Sequence, residues 1–212
     1  MQPECENSID KATMSERLPI ISRDSGNAET QQIYEKFSST ADKMFGSPDN
    51  SAFILTRKSD GALLGPFPFL MAQPDVGQHV LDLIGKLGQI TGLPADAKEV
   101  AILTTGAKYK AAYELYAHTN VAMKTVGMSE VVVRDLENGK RPADLSEACS
   151  VAYDVAHYLT GTPGPLPRDL WDRSVDALGR DGTMGLVHYV GAYAYLCMML
   201  NAMDAPIPES SG

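Results

Sequence analysis

The chain reads as all-α, and three observations predict it. Apolar residues recur at helical spacing in one stretch after another, for example Val80, Leu81, Ile84 and Leu87, or Ala148, Val151, Ala152, Val155 and Leu159. Glycine, proline and Asn-Gly punctuation separates those stretches at helix-like intervals. No run alternates apolar and polar residues at the two-residue period of a half-buried strand, and no solenoid repeat appears.

Residues 1–16 are polar and patternless, and are expected to form a disordered N-terminal arm. An N-terminal helical extension follows over 17–64. RLPII (17–21) is extended and leads through Ser22–Gly26 into a first helix from about Ala28 to Met44, with Ile33, Phe37 and Met44 on one side. Asp49 to Leu64 is a loop. The main helical domain spans 65–209. It opens on Gly65-Pro66-Phe67-Pro68-Phe69, which two prolines keep from being helical throughout. Phe67 and Phe69 are either core anchors or a flap over a pocket.

A helix from Asp75 runs to Ile90, and Pro94 starts the next as a first-turn residue. A central helical pair extends to Gly127. Ser129 caps a short helix ending at Asn138-Gly139, and Leu145 to Thr160 forms another. Pro167 opens a helix stopped at Gly179. The last helix, Gly182 to Met203, is apolar on nearly every side and long enough to resemble a membrane span. Its tyrosines, His188 and Asn201, and the lack of a basic flank, make it a core helix instead.

The central pair, KEVAILTTGAKYKAAYELYAHTNVAMKTVG (98–127), carries the chemistry. Glu114 and His118 stand four residues apart and share a helix face. On one straight helix Glu99 would lie roughly 22 Å from Glu114. The chain must bend for the three to meet, and Gly106 is the natural place. Two carboxylates and an imidazole in an apolar wall form a proton-transfer site. The bland readings are a core histidine, a Glu114 paired with Lys110 one turn earlier, and a Glu99 that answers its helix dipole. Tyr113, Tyr116, Tyr193 and Tyr195 have the polar-tipped shape of pocket liners or of ordinary core. Lys110 could steer an anion, and His188 could face the same cavity.

Other function classes are excluded by composition. The chain has 212 residues, is 44% hydrophobic and 21% charged, and carries a formal net charge of -9. That charge argues against nucleic-acid and anionic-membrane surfaces. Three scattered cysteines, Cys5, Cys149 and Cys197, make neither a disulfide framework nor a zinc site and suit a reducing, cytoplasmic setting. No signal peptide is visible. No histidine–glutamate metal spacing and no glycine-rich phosphate loop occur, so neither metal nor cofactor is expected.

The run Y-E-L-Y-A-H-x-x-x-A-x-K-x-V-G, with GPFPFLMAQPDVG (65–77) before it and LNAMDAPIPE (200–209) after it, resembles the carboxymuconolactone decarboxylase-like family of the alkylhydroperoxidase D (AhpD)-like superfamily. The resemblance covers roughly Gly65 to Glu209, with Glu99, Glu114 and His118 at the diagnostic positions. The peroxidase branch carries E…C-x-x-C-x-x-x-H, and here its cysteine positions hold Ala111 and Glu114. The resemblance implies an AhpD-like helical fold and a cofactor-free lyase that decarboxylates a small carboxylated lactone or β-keto-type acid. It assigns proton transfer to His118, its orientation to Glu114, and a second acid/base or supporting role to Glu99. Tyr113, Lys110, Phe67, Phe69, His188 and Tyr195 are the candidate pocket residues. An isomerase or cyclase acting on a similar metabolite, and a non-catalytic binding or assembly protein, are the alternatives. The substrate is expected to be a small anion, and the assembly a homo-oligomer, trimeric or hexameric.

Overall fold

The computed structural model describes residues 17–46 and 51–208, so the expected N-terminal arm, Cys5 and Glu209 lie outside the described residues. Those residues form eight α-helices and one π-helical turn, with no strand beyond a single bridge between Thr56 and Leu63. The fold is all-α.

Helix α1 (Ala28–Phe45) begins where Asn27 Oδ1 accepts the backbone N–H of Thr30, and buries Tyr34, Phe37 and Ala41 with Ile33 and Met44 at the margin. The loop after it doubles back through the Thr56–Leu63 bridge into α2 (Phe67–Ala72) and α3 (Pro74–Gly88). The two prolines do not prevent α2. Pro66 sits at its N-cap and Pro68 in its first turn, where a missing N–H costs nothing. Phe67 is fully buried and Phe69 nearly so, which makes both of them core anchors.

Helix α4 (Ala95–Tyr109) is the axis of the molecule, packed against α5 (Ala112–Val121), α6 (Glu130–Glu137), α7 (Glu147–Gly161) and α8 (Arg168–Met203). Pro94 is its N-cap, one position earlier than a first-turn residue. Nine of its residues between Ala97 and Gly106 are buried. The polar ones there are satisfied within the helix: Thr104 and Thr105 donate to the carbonyls of Val100 and Ala101 at 2.7 and 2.8 Å.

The expected bend at Gly106 falls four residues later. Helix α4 continues through Gly106 to Tyr109, and the chain turns at Lys110, which is left-handed (φ 52°, ψ 40°). The N–H groups of Lys110 and Ala111 donate back to Ala107 and Gly106, closing the helix end. Gly106 serves packing instead: a Cβ there would stand 3.2 Å from Leu115 Cδ2, so its absence lets α5 lie close against α4. A residue with a Cβ is strained in the left-handed region by roughly 1 kcal/mol or more. Lys110→Gly is therefore expected to raise the unfolding free energy by about 0.5–1 kcal/mol in urea titrations, with the helical signal unchanged.

Beyond α5 the chain winds through a π-helical turn (Ala122–Val126) ended by Gly127. Ser129 and Ser146 cap α6 and α7. Helix α8 is broken at Gly179, whose φ of 69° and ψ of 173° are not helical, so its arms are 168–178 and 180–203. By length and composition α8 is the one helix among the described residues that could cross a membrane. Half of its most apolar window is buried in this fold.

Candidate functional site

The bend at Lys110 folds α5 back on α4, and this brings Glu99, Glu114 and His118 together. Glu99 lies in the second turn of α4, Glu114 in the first turn of α5, and His118 one turn beyond it. His118 Nδ1 is hydrogen-bonded to Glu99 Oε2 at 2.8 Å. Its Nε2 stands 3.2 Å from Glu114 Oε1 in an ion-pair contact. This reverses the roles expected for the two acids. Glu99 holds the ring through the aligned hydrogen bond, and Glu114, one turn away on the same helix, faces the other nitrogen.

The cluster is enclosed but not sealed. The side chains of Glu99 and Glu114 are 9% and 7% exposed, and that of His118 is 15% exposed. Burial pulls the imidazole toward its neutral form. The charge and hydrogen bond of Glu99, with the charge of Glu114, override this and push its pKa up to about 9. His118 is thus an imidazolium at neutral pH. Glu114 is raised, chiefly by burial and further by the charge of Glu99, with His118 pulling the other way.

Aromatic rings complete the wall. Tyr193 meets the His118 ring edge-on, with centroids 5.0 Å apart at 88°. It is itself stacked on Tyr189 (5.9 Å, 6°), and the Lys98 ammonium lies 5.6 Å from the centre of that second ring. Tyr193 is held well above the ordinary phenol range by burial and by both carboxylates, so it stays a neutral donor. Tyr189 is the neighbour that sequence reasoning missed. Its four-residue spacing from Tyr193, on one face of a helix, was the available signal.

The other candidates lie elsewhere. Lys110 and His188 are exposed, and Glu114 is paired with His118 rather than with Lys110. Phe67 packs in the core, and Phe69 meets Tyr195 edge-on at 6.4 Å. Tyr113 is buried against Gly65 and donates to the Ile54 carbonyl at 3.0 Å. Cys149 and Cys197 are both buried. Burial pushes the Cys149 thiol up to about 11, and burial with the charge of Glu114 raises Cys197 further. Neither is an activated thiolate. Among the described residues no group of three or more His, Cys, Asp or Glu side chains has metal-binding geometry.

No family model and no curated protein matches the sequence. Solved structures do share the fold. The debrominase Bmp8, as a cysteine-to-alanine variant in complex with 2,3,4-tribromopyrrole, superposes with a TM-score of 0.65 over 90% of this chain and 92% of that one, at 14% identity. Apo Bmp8 gives the same TM-score and identity over 87% and 90%. At that identity the likeness is one of fold.

Proposed function

We propose that this chain is a small-molecule enzyme of the carboxymuconolactone decarboxylase-like family, working by proton transfer from His118 without a cofactor. Its reaction in this reading is decarboxylation of a small carboxylated lactone or β-keto-type acid. The observation that carries it is the imidazolium held between two buried carboxylates, with only a narrow opening to the outside.

The steps follow from that geometry. The substrate carboxylate leaves as carbon dioxide, and its bonding electrons remain on the substrate as an enolate. His118 donates a proton to the enolate carbon, from Nε2, the nitrogen without an aligned hydrogen bond. Glu99 keeps the ring oriented and stabilises the charged form. Glu114, whose raised pKa brings it nearer neutrality, passes a solvent proton back to Nε2. A positioned acid of this kind supplies about 10²–10⁴-fold. The bromopyrrole-bound fold relative agrees with a small organic substrate for this architecture.

One observation favours the non-catalytic reading: the cavity bordered by Leu18, Ile54, Leu64 and Met203 is not lined by Glu99, Glu114 or His118. Incubation with carboxylated lactones and β-keto acids in deuterated water separates the possibilities. Carbon dioxide release with deuterium on the product carbon supports decarboxylation. Deuterium exchange without release indicates an isomerase, and neither signal across the panel supports a binding protein. Turnover is expected to survive alanine replacement of both Cys149 and Cys197, because neither thiol is poised for chemistry. Loss of turnover in that folded double variant would place a thiol in the reaction.

Self-association belongs to the same proposal. Residues 182–203 contain no Asp, Glu, Lys or Arg, yet Met184, His188, Gly191 and Met198 point outward from α8. A charge-free outward helix face suits a homo-oligomer, and sedimentation of a concentration-independent monomer would exclude it.

A further inference from the structure

A second site lies apart from the proton-transfer cluster. The N-terminal segment, the 54–68 loop and the chain after α8 enclose a cavity of about 280 Å³. Its walls are apolar, formed by Leu18, Ile20, Ile54, Leu64, Met203 and Ile207. The ionisable residues that line it are Arg57 and Lys58, with no carboxylate. In a chain with 27 acidic and 18 basic residues, a cavity walled by two cations and no acid selects for an anion.

The cations are held at one end. A tight turn places Arg57, Lys58 and Ser59 together, closed by the Arg57 N–H to Ala62 carbonyl bond at 2.8 Å and by the Thr56–Leu63 bridge. Asp60 grips the Arg57 guanidinium through Nε and Nη2, which fixes its position and leaves Nη1 outside that pair. Lys58 is exposed at the rim. The opposite wall is rigid, because Ile54 donates its N–H to the Tyr116 hydroxyl and accepts from that of Tyr113, and Gly65 lies flat against the Tyr113 ring.

We propose that this cavity binds a small amphipathic monoanion: an aliphatic carboxylate whose chain fills the apolar end and whose head group meets Lys58 and Arg57. At roughly 30 Å³ per water-sized group the space holds about nine such groups, the size of a six- to eight-carbon acid. The site is independent of the decarboxylation reading, since none of the cluster residues lines it.

Calorimetric titration with octanoate, and with 1-octanol as its uncharged counterpart, tests this on the full chain. Octanoate is expected to bind saturably with one site per chain, and 1-octanol about tenfold more weakly. Lys58→Glu, an exposed change that leaves the core untouched, is expected to weaken octanoate by about tenfold while leaving 1-octanol unchanged. His118→Gln is expected to leave octanoate binding as it is. Absence of saturable octanoate binding, equal binding of the alcohol, or indifference to Lys58→Glu would each overturn the proposal. Loss of octanoate binding in His118→Gln would move the ligand to the cluster and overturn it as well.

Discussion

Replacing His118 with glutamine is expected to lower turnover by about 10²-fold or more while the helical fold persists, because the amide fills the space but cannot carry the proton. Glutamine is preferable to alanine here. Alanine would leave Glu99 and Glu114 facing each other without the cation that now separates them, and an uncompensated buried charge costs several kcal/mol. The companion variant Glu114→Gln removes one of the two anions that favour the imidazolium, so the pKa of His118 falls and the alkaline limb of the rate profile moves to lower pH. Lys110→Ala is the control: its side chain is exposed and remote from the cluster's hydrogen bonds, so turnover should stay near wild type. A fully active His118→Gln variant would transfer the case to the binding-protein reading.

Stability should fall as the solution is made alkaline, and His118 supplies the reason. Its folded pKa of about 9 lies above the ordinary histidine value of 6.5, so the native state binds this proton more tightly than the unfolded chain does. The stabilisation is therefore complete below pH 6.5 and is lost as the pH rises toward 9. A shift of this size corresponds to something on the order of 3 kcal/mol. Glu114, whose pKa is also raised, contributes in the same direction at lower pH. Urea denaturation at intervals from pH 6 to pH 9 should show the decline in the native protein. His118→Gln should flatten it. A slope that is unchanged in the variant would mean that other groups carry it.

Much of the fold was legible because its signals are local. Asn27, Ser129 and Ser146 stand where the periodic pattern starts, and Gly179 where it breaks, so caps and breaks could be read directly. The bend was misplaced because a glycine has two uses. Gly106 was read as a hinge, whereas it makes room for Leu115, and the turn itself falls on a lysine that no propensity marks as left-handed. Helical spacing paired Glu114 with His118, yet the better-aligned hydrogen bond comes from Glu99, nineteen residues away, and depends on the exact return of α5 along α4. The octanoate-sized cavity was out of reach of any pattern, since segments from both ends of the chain build it.

The π-helical turn at Ala122–Val126 bears on which insertions and deletions this protein can accept. Such a turn is an α-helix carrying one surplus residue. Removing a single residue there would restore an ordinary helix and rotate everything downstream by about 100°. Lys124, which now donates to the Ala52 carbonyl at 3.0 Å, would lose that partner, and α6 would have to re-dock. Glu114 and His118 lie upstream of the surplus residue and would keep their register. Chain length can thus change by one at this point and leave the proton-handling side chains where they are, whereas the same deletion between Lys110 and Glu114 would turn Glu114 and His118 away from Glu99.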